Sequence, residues 1–253
     1  MKNFWTLLKY EIHKLIVSPS TYVISLVFTF SMGAIFAFVL HNYTTTDYDV
    51  PFAQMFFRCF WLPTYATIPL ITMRSLSEGY KNGTMQNLFS APISHLEVVL
   101  AEFFAAYAMF ILLWLSSLVP LAAVKFISNQ TFADAAFASK FNIAGGLLFV
   151  GLVGMSFTAI GILASSLTEN QIISSMVTFF MLMALLLGGL LLANSPKIAN
   201  LRLCSTYNEG LSFFLQLDNF CNGLVDSRVV VFHLSSCALA LCLTTIAVQR
   251  KLG

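Results

Sequence analysis

Charge is what this sequence has least of: Asp, Glu, Lys and Arg make up 9% of its 253 residues, against about 25% in an ordinary soluble domain. Its net charge of +2 comes from mixed signs, which leaves no basic patch dense enough for a phosphate backbone and excludes nucleic acid as a partner. No G-x-x-x-x-G-K-[ST] loop is present to cradle nucleotide phosphates, so ATP hydrolysis is not expected of this chain by itself. H-E-x-x-H and G-x-S-x-G are also missing, and His13, His41, His95 and His233 are scattered, so a membrane-embedded hydrolase lacks its parts. Cys59, Cys204, Cys221, Cys237 and Cys242 include no C-x-x-C pair and read as small apolar side chains, with no metal-ligand spacing.

Apolar residues fill 58% of the chain, and they are arranged in runs that can cross a hydrocarbon layer of roughly 30 Å, which takes about 20 residues of helix. Five runs qualify cleanly: Tyr22–Leu40, Val98–Val124, Ile143–Leu167, Ile172–Ala193 and Val229–Val248. A sixth, over 55–75, is short, because Arg58 and Arg74 leave about 22 Å of uncharged helix between them. Pro63 and Pro69 fall inside it, so a kinked or broken span is expected. The fold class is therefore all-α: a polytopic membrane protein of six transmembrane helices in a single domain over 1–253.

Before the first span, Phe4, Leu8, Ile12, Leu15 and Ile16 recur at helical spacing opposite Lys2, Thr6, Lys9 and His13, which describes an amphipathic helix over 1–18 lying in the membrane interface. The same pattern suits a soluble helix that rests its apolar face on a partner. Lys9, Glu11, His13 and Lys14 interrupt the run, so it is expected to be retained rather than cleaved as a secretory signal, and Ser18–Pro19 ends it. Ser94-His95-Leu96-Glu97 is a capping box that starts a fresh helix, and Thr168-Glu169-Asn170-Gln171 repeats the device at a very short turn between the fourth and fifth spans. Gly145, Gly146, Gly151, Gly154, Gly161 and Ser165 thread the fourth span and suit close helix packing.

The 13 Lys and Arg residues divide almost evenly between the two sides, so the positive-inside rule alone does not orient the chain. Lys9 and Lys14 before the first span and Arg250–Lys251 after the last favour cytoplasmic termini, with Asp47, Asp49, Asp134, Glu209, Asp218 and Asp226 on the other side. Glu102 is the one carboxylate inside a clean span. A charge at mid-membrane costs about 2.5–3.5 kcal/mol or more. Its place eight residues after Ser94 puts it near the inner interface, in reach of water or Arg74, and a structural role is expected over ion coupling by a lone carrier.

The stretch 76–94 carries the most information. A polar turn leads into a short amphipathic helix: Gly83 permits a bend, Thr84 can cap, Met85, Leu88 and Phe89 share an apolar face, and Pro92 stops the helix before the Ser94 cap. Such a helix is a handle for a partner, or an interfacial loop resting on lipid. Glu78, then Gly83-Thr84, then Leu88, then Pro92-Ile93-Ser94 resembles the cytoplasmic loop of type-2 ABC transporter permeases, departing at Gln86, where glutamate is common. The amino-terminal helix ending at Ser18–Pro19 resembles the family's elbow helix. The run Phe213–Asp226, with Phe220, Gly223 and Leu224, and Arg250–Lys251 after the last span resemble the gliding-motility and nitrous-oxide-reductase-maturation permeases.

The resemblance implies the permease subunit of an ATP-driven exporter in a bacterial cytoplasmic (inner) membrane, working with a second permease copy or a paralogue. It implies a separate ABC ATP-binding subunit that holds ATP and Mg, so no cofactor belongs to this chain. Glu78, Gly83, Thr84, Met85, Gln86, Leu88, Phe89 and Pro92 would couple to that subunit. The external segment 194–228 would dip into the outer leaflet, with Phe213, Phe214, Leu217, Phe220 and Leu224 as the candidate external gate, or would cap the bundle. A different class of function, a non-transporting membrane anchor or assembly component of a secretion or motility complex, needs only stable association.

Overall fold

The computed structural model describes residues 2–45, 50–81, 83, 93–127, 140–193 and 213–252, and among them every regular element is a helix. In chain order they are α1 (Lys2–Val17), α2 (Pro19–Thr45), α3 (Phe52–Arg58), α4 (Trp61–Thr72), α5 (Ser75–Lys81), α6 (His95–Ser116), α7 (Leu118–Ile127), α8 (Lys140–Leu167), α9 (Gln171–Ala193), α10 (Phe213–Cys221) and α11 (Ser227–Leu252). Among the described residues, five stretches are long and apolar enough to cross a membrane: Pro19–Tyr43, His95–Ala123, Asn142–Leu167, Gln171–Gly188 and Ser227–Lys251. These match the five clean runs of the sequence.

The short sixth run is not one helix. It divides into α3 and α4 at Cys59–Phe60, upstream of both prolines. Pro63 sits in the first turn of α4, where no intrahelical N–H bond is forfeited, while Pro69 lies inside the helix, which ends one turn later at Thr72. The third span also divides. Pro120 cannot bond back to residue 116, and the helix breaks at Ser117, whose N–H turns to the Trp114 carbonyl at 3.2 Å.

Caps decide where helices start and stop. The Ser94 box forms as expected: Oγ accepts from the Glu97 N–H at 3.3 Å, and the Glu97 carboxylate accepts from the Ser94 N–H at 3.2 Å. The second box does not form. Thr168 Oγ1 instead donates to the Ala164 carbonyl at the end of α8, and Asn170 caps α9 by accepting from the Ile172 N–H at 3.0 Å. Asparagine two residues before the first apolar residue is the stronger N-cap signal, and it overrides the Thr168 spacing.

Helix α8 is the axis of the bundle, in contact with α3, α4, α5, α6, α9, α10 and α11. Its glycines make this possible. A Cβ at Gly145 would lie 1.9 Å from the Phe220 carbonyl oxygen, one at Gly146 2.5 Å from the Phe57 ring, one at Gly154 2.0 Å from Phe110, and one at Gly161 2.4 Å from Thr72 Oγ1. Glycines at these four heights admit α10, α3, α6 and α4 in turn, the close approach that small residues permit between membrane helices. By contrast α2 and α11 present most of their length outward, including Leu26, Phe30, Phe38, Leu239 and Leu243, as does α9 with Ile172 and Phe180.

Contacts sort the helix ends into two groups. At one end meet the starts of α2 and α6, α5, and the ends of α4, α8 and α11: Arg74 bonds Ser18, Ser75 bonds Glu102, Ser165 bonds α5, and Lys251 reaches Tyr80. At the other end meet α3, α10 and the end of α2, through Arg58–Asp218 and the Tyr43–Phe52 ring pair at 5.6 Å. The segment 52–72 therefore runs from one end of the bundle to the other, broken helix though it is.

Candidate functional site at the root of the 76–94 loop

The loop that the sequence singles out begins with α5, and α5 is fastened to α8, α6 and α11. Its first backbone donors, the N–H groups of Leu76 and Ser77, both reach Ser165 Oγ on α8, at 3.1 and 3.0 Å. A helix start leaves such donors without an internal partner. Here a hydroxyl with 0% exposure supplies the acceptor. Ser75 Oγ donates to Glu102 Oε2 on α6 at 2.9 Å. At the far end of α5, Lys251 from the last turn of α11 lies 4.1 Å from the centroid of the Tyr80 ring and 3.4 Å from Glu169 at the α8–α9 turn. Burial, then the nearby Glu169 charge, pushes the Tyr80 phenol up to about 12, so it stays neutral at physiological pH.

Arg74, at the joint between α4 and α5, completes the ring. Its guanidinium forks onto Glu78, Nε to Oε2 at 3.1 Å and Nη2 to Oε1 at 3.0 Å, and its third arm donates to Ser18 Oγ at 2.7 Å and to Ser20 Oγ. The Ser18–Pro19 break between α1 and α2 is thus pinned to the root of the loop. Planar, multi-donor geometry is what arginine offers over lysine at such a junction. Glu102 therefore does not pair with Arg74; it is 7% exposed and takes its hydrogen bond from Ser75.

Helix α1 joins the same cluster. Phe4 packs edge-on against Phe104 of α6 at 6.2 Å, and Leu7, Leu8, Ile12 and Leu15 are half-buried. Ile16, assigned to the apolar face by periodicity, is exposed, while Glu11 and Lys14 turn inward. They bond each other at 3.1 Å. Burial works against the Lys14 ammonium, but Glu102, Glu11 and Glu78 together outweigh it and hold its pKa above the ordinary lysine value. Glu11, Lys14, Arg74, Glu78 and Glu102 line a cavity of about 110 Å³ together with apolar residues that include Ile24, Ile71 and Met109. A half-buried cluster of mixed charge, between an amino-terminal helix and the loop root, can hold α1, α5 and α6 in one arrangement.

Of the loop residues singled out by sequence, Glu78 and Gly83 are described. Glu78 spends its carboxylate on Arg74, and Gly83 adopts φ +67°, with its N–H on the Tyr80 carbonyl at 3.2 Å, so it ends α5 in the left-handed region that glycine favours. Thr84, Met85, Gln86, Leu88, Phe89 and Pro92 lie outside the described residues. Sequence reasoning named Ser165 for helix packing, Ser18 as a helix end and Lys251 for orientation, gave Ser20 and Tyr80 no role, and placed none of the five on the α5 junction. Serine and tyrosine in apolar runs carry no periodic signal, and only the fold brings them within reach of α5.

The external set divides. Phe213, Leu217 and Phe220 are buried, with Phe220 5.5 Å from Phe149 and Phe213 5.9 Å from Phe157 on α8, and Phe213 also 6.4 Å from His233 on α11. Phe214 and Leu224 are exposed. Asp218 on the same helix accepts from Arg58 Nε at 2.9 Å, from Arg58 Nη2 at 2.8 Å and from Gln54 Nε2 at 2.9 Å, closing α10 onto α3. Helix α10 then ends in a Schellman motif: Gly223 has φ +83°, its N–H bonds the Phe220 carbonyl, and the Leu224 N–H bonds the Asn219 carbonyl. No group of three His, Cys, Asp or Glu side chains among the described residues is arranged to hold a metal.

The sequence model of the family described as ABC-2 family transporter protein matches residues 7–185, a stretch that contains the whole α5 junction except Lys251. No curated protein matches the chain.

Proposed function

The chain belongs to the ABC-2 family of transporter proteins, and from that premise we propose that it is the membrane-spanning subunit of an ATP-driven exporter, moved by nucleotide closure through α5. Family membership makes it a multi-pass permease component of an ABC transporter and implies an ABC ATP-binding partner. The observation that carries the proposal is the convergence on α5: Ser165, Glu102, Arg74 and Lys251 tie the root of the 76–94 loop to α8, α6, the α1–α2 joint and α11. A displacement of the loop is delivered to four elements at once. An anchor needs no such linkage.

In this reading the chain crosses the membrane six times, 52–72 counting as a broken crossing; Arg58 within it is neutralised by Asp218, and Arg74, just beyond its end, by Glu78. Both termini then share the side of the loop, the cytoplasm, and α1 is the interfacial elbow. The outward apolar flanks of α2, α9 and α11 meet lipid and a second permease copy. The outward direction of transport rests on the resemblance of the loop and of the Phe213–Asp226 run to exporting permeases. Thr84, Met85, Leu88 and Phe89 seat on the ATP-binding subunit, with Gln86 making a neutral contact there.

Affinity purification from host membranes in mild detergent tests this. A chain bearing a nucleotide-binding loop should accompany the wild type and be lost with Leu88→Asp or Thr84→Pro. A folded preparation that never brings such a chain down would refute the proposal and leave the anchor.

A further inference from the structure

At the end of the bundle where α5 lies, the last turns of α8 and α11 leave a groove between them that no other described element fills. Leu163, Leu167, Leu243 and Ile246 form its walls, and Arg250 and Lys251 stand at its mouth. Its volume, about 540 Å³, is far beyond the ≈ 30 Å³ that one water occupies in the liquid. An open apolar groove of this size, along a membrane-crossing helix, has room for part of an acyl chain.

The charges at the mouth narrow the occupant further. Lys251 is engaged, on Glu169 at 3.4 Å and over the Tyr80 ring. Arg250 forms no ion pair among the described residues and is exposed. A guanidinium with no ion-pair partner among the described residues, above a hydrocarbon-lined groove, is complementary to a phosphodiester carrying acyl chains, because its planar fork binds phosphate oxygens in pairs. Basic pockets between membrane helices attract anionic headgroups for the same reason.

We propose that the α8–α11 groove is a binding site for an anionic phospholipid, with the phosphate on Arg250 and an acyl chain along Leu163, Leu243 and Ile246. Occupancy brings a negative headgroup beside Lys251, the residue that touches α5 through Tyr80, so the lipid acts on the same ring of contacts that holds the loop root. The site needs no ATP-binding subunit, and its test is independent of the transport reading.

Native mass spectrometry of the purified chain, offered equal amounts of phosphatidylglycerol and phosphatidylcholine with identical acyl chains, reads the preference directly. The wild type should retain phosphatidylglycerol about fivefold over phosphatidylcholine, the ratio expected for one basic residue at a membrane surface. Arg250→Gln should bring that ratio close to one, whereas Lys9→Gln, which removes an exposed cation on α1, should leave it unchanged. Ala247→Phe keeps both charges but fills the groove, and should lower retention of either lipid. Equal retention by the wild type, a preference that survives Arg250→Gln, or undiminished binding in Ala247→Phe would each overturn the proposal.

Discussion

Replacing Ser165 with alanine isolates the fastening of α5 from everything else in the bundle. One buried oxygen accepts from two backbone donors, Leu76 N–H and Ser77 N–H, and its removal leaves both without a partner in a region closed to solvent. A buried donor left unsatisfied costs about 1–3 kcal/mol. The two donors share a single acceptor and sit in a first turn that can loosen, so we take about 2 kcal/mol for the pair, a factor of about 30 in the opening equilibrium of α5. Hydrogen exchange followed by mass spectrometry on a peptide covering 73–81 should then show α5 amides exchanging about 30 times faster. Ser166→Ala is the control. Its hydroxyl donates only to the Leu163 carbonyl of its own helix, at 2.7 Å, and α5 should keep its protection. Unchanged exchange in Ser165→Ala, or equal acceleration in both variants, would refute the reasoning.

Gly161→Ala should lower the thermal unfolding midpoint in detergent by the equivalent of about 1–3 kcal/mol, because the new methyl would meet Thr72 Oγ1 at 2.4 Å, whereas Gly33→Ala, with nothing within 4 Å, should hold or raise it. Asp218→Asn should free α10. Cys221 is buried, and burial first, then the Asp218 charge, raises its thiol to about 12 against the opposing pull of Arg58. Maleimide labelling of Cys221 at neutral pH should be slow in the wild type and markedly faster in Asp218→Asn. Lys14 has a folded-state pKa above 10.5, so its contribution is fully present below that pH and fades as pH rises through the folded value. Unfolding midpoints recorded against pH should show an alkaline loss that Lys14→Met abolishes, and an identical alkaline limb in the variant would contradict the assignment.

What could be read in advance follows from how local each signal is. Length and apolarity mark α2, α6, α8, α9 and α11 because lipid leaves a spanning backbone no alternative to a helix. The Ser94 cap was legible since donor and acceptor lie three residues apart. The glycines of α8 announced close packing, though not that Gly145 meets α10 while Gly161 meets α4. Where two local signals compete, as with Thr168 and Asn170, spacing alone misleads. Asp218 on Arg58, Ser165 on α5 and Lys251 on Tyr80 are distant in sequence, and a hydroxyl or a carboxylate gives no hint of a partner that only the fold supplies. The inward turn of Glu11 and Lys14 went unread for a related reason, since periodicity assigns charged residues to water unless Glu102 is known to lie opposite.

The central claim is that nucleotide state reaches the bundle through α5. Hydrogen exchange over 73–81 in the copurified complex, compared with and without bound ATP, tests it most directly. The account predicts a nucleotide-dependent change in α5 protection that disappears in Leu88→Asp, with the amides of α8 around Ser165 following α5. An α5 whose exchange is the same in both nucleotide states, in a complex that hydrolyses ATP, would contradict it.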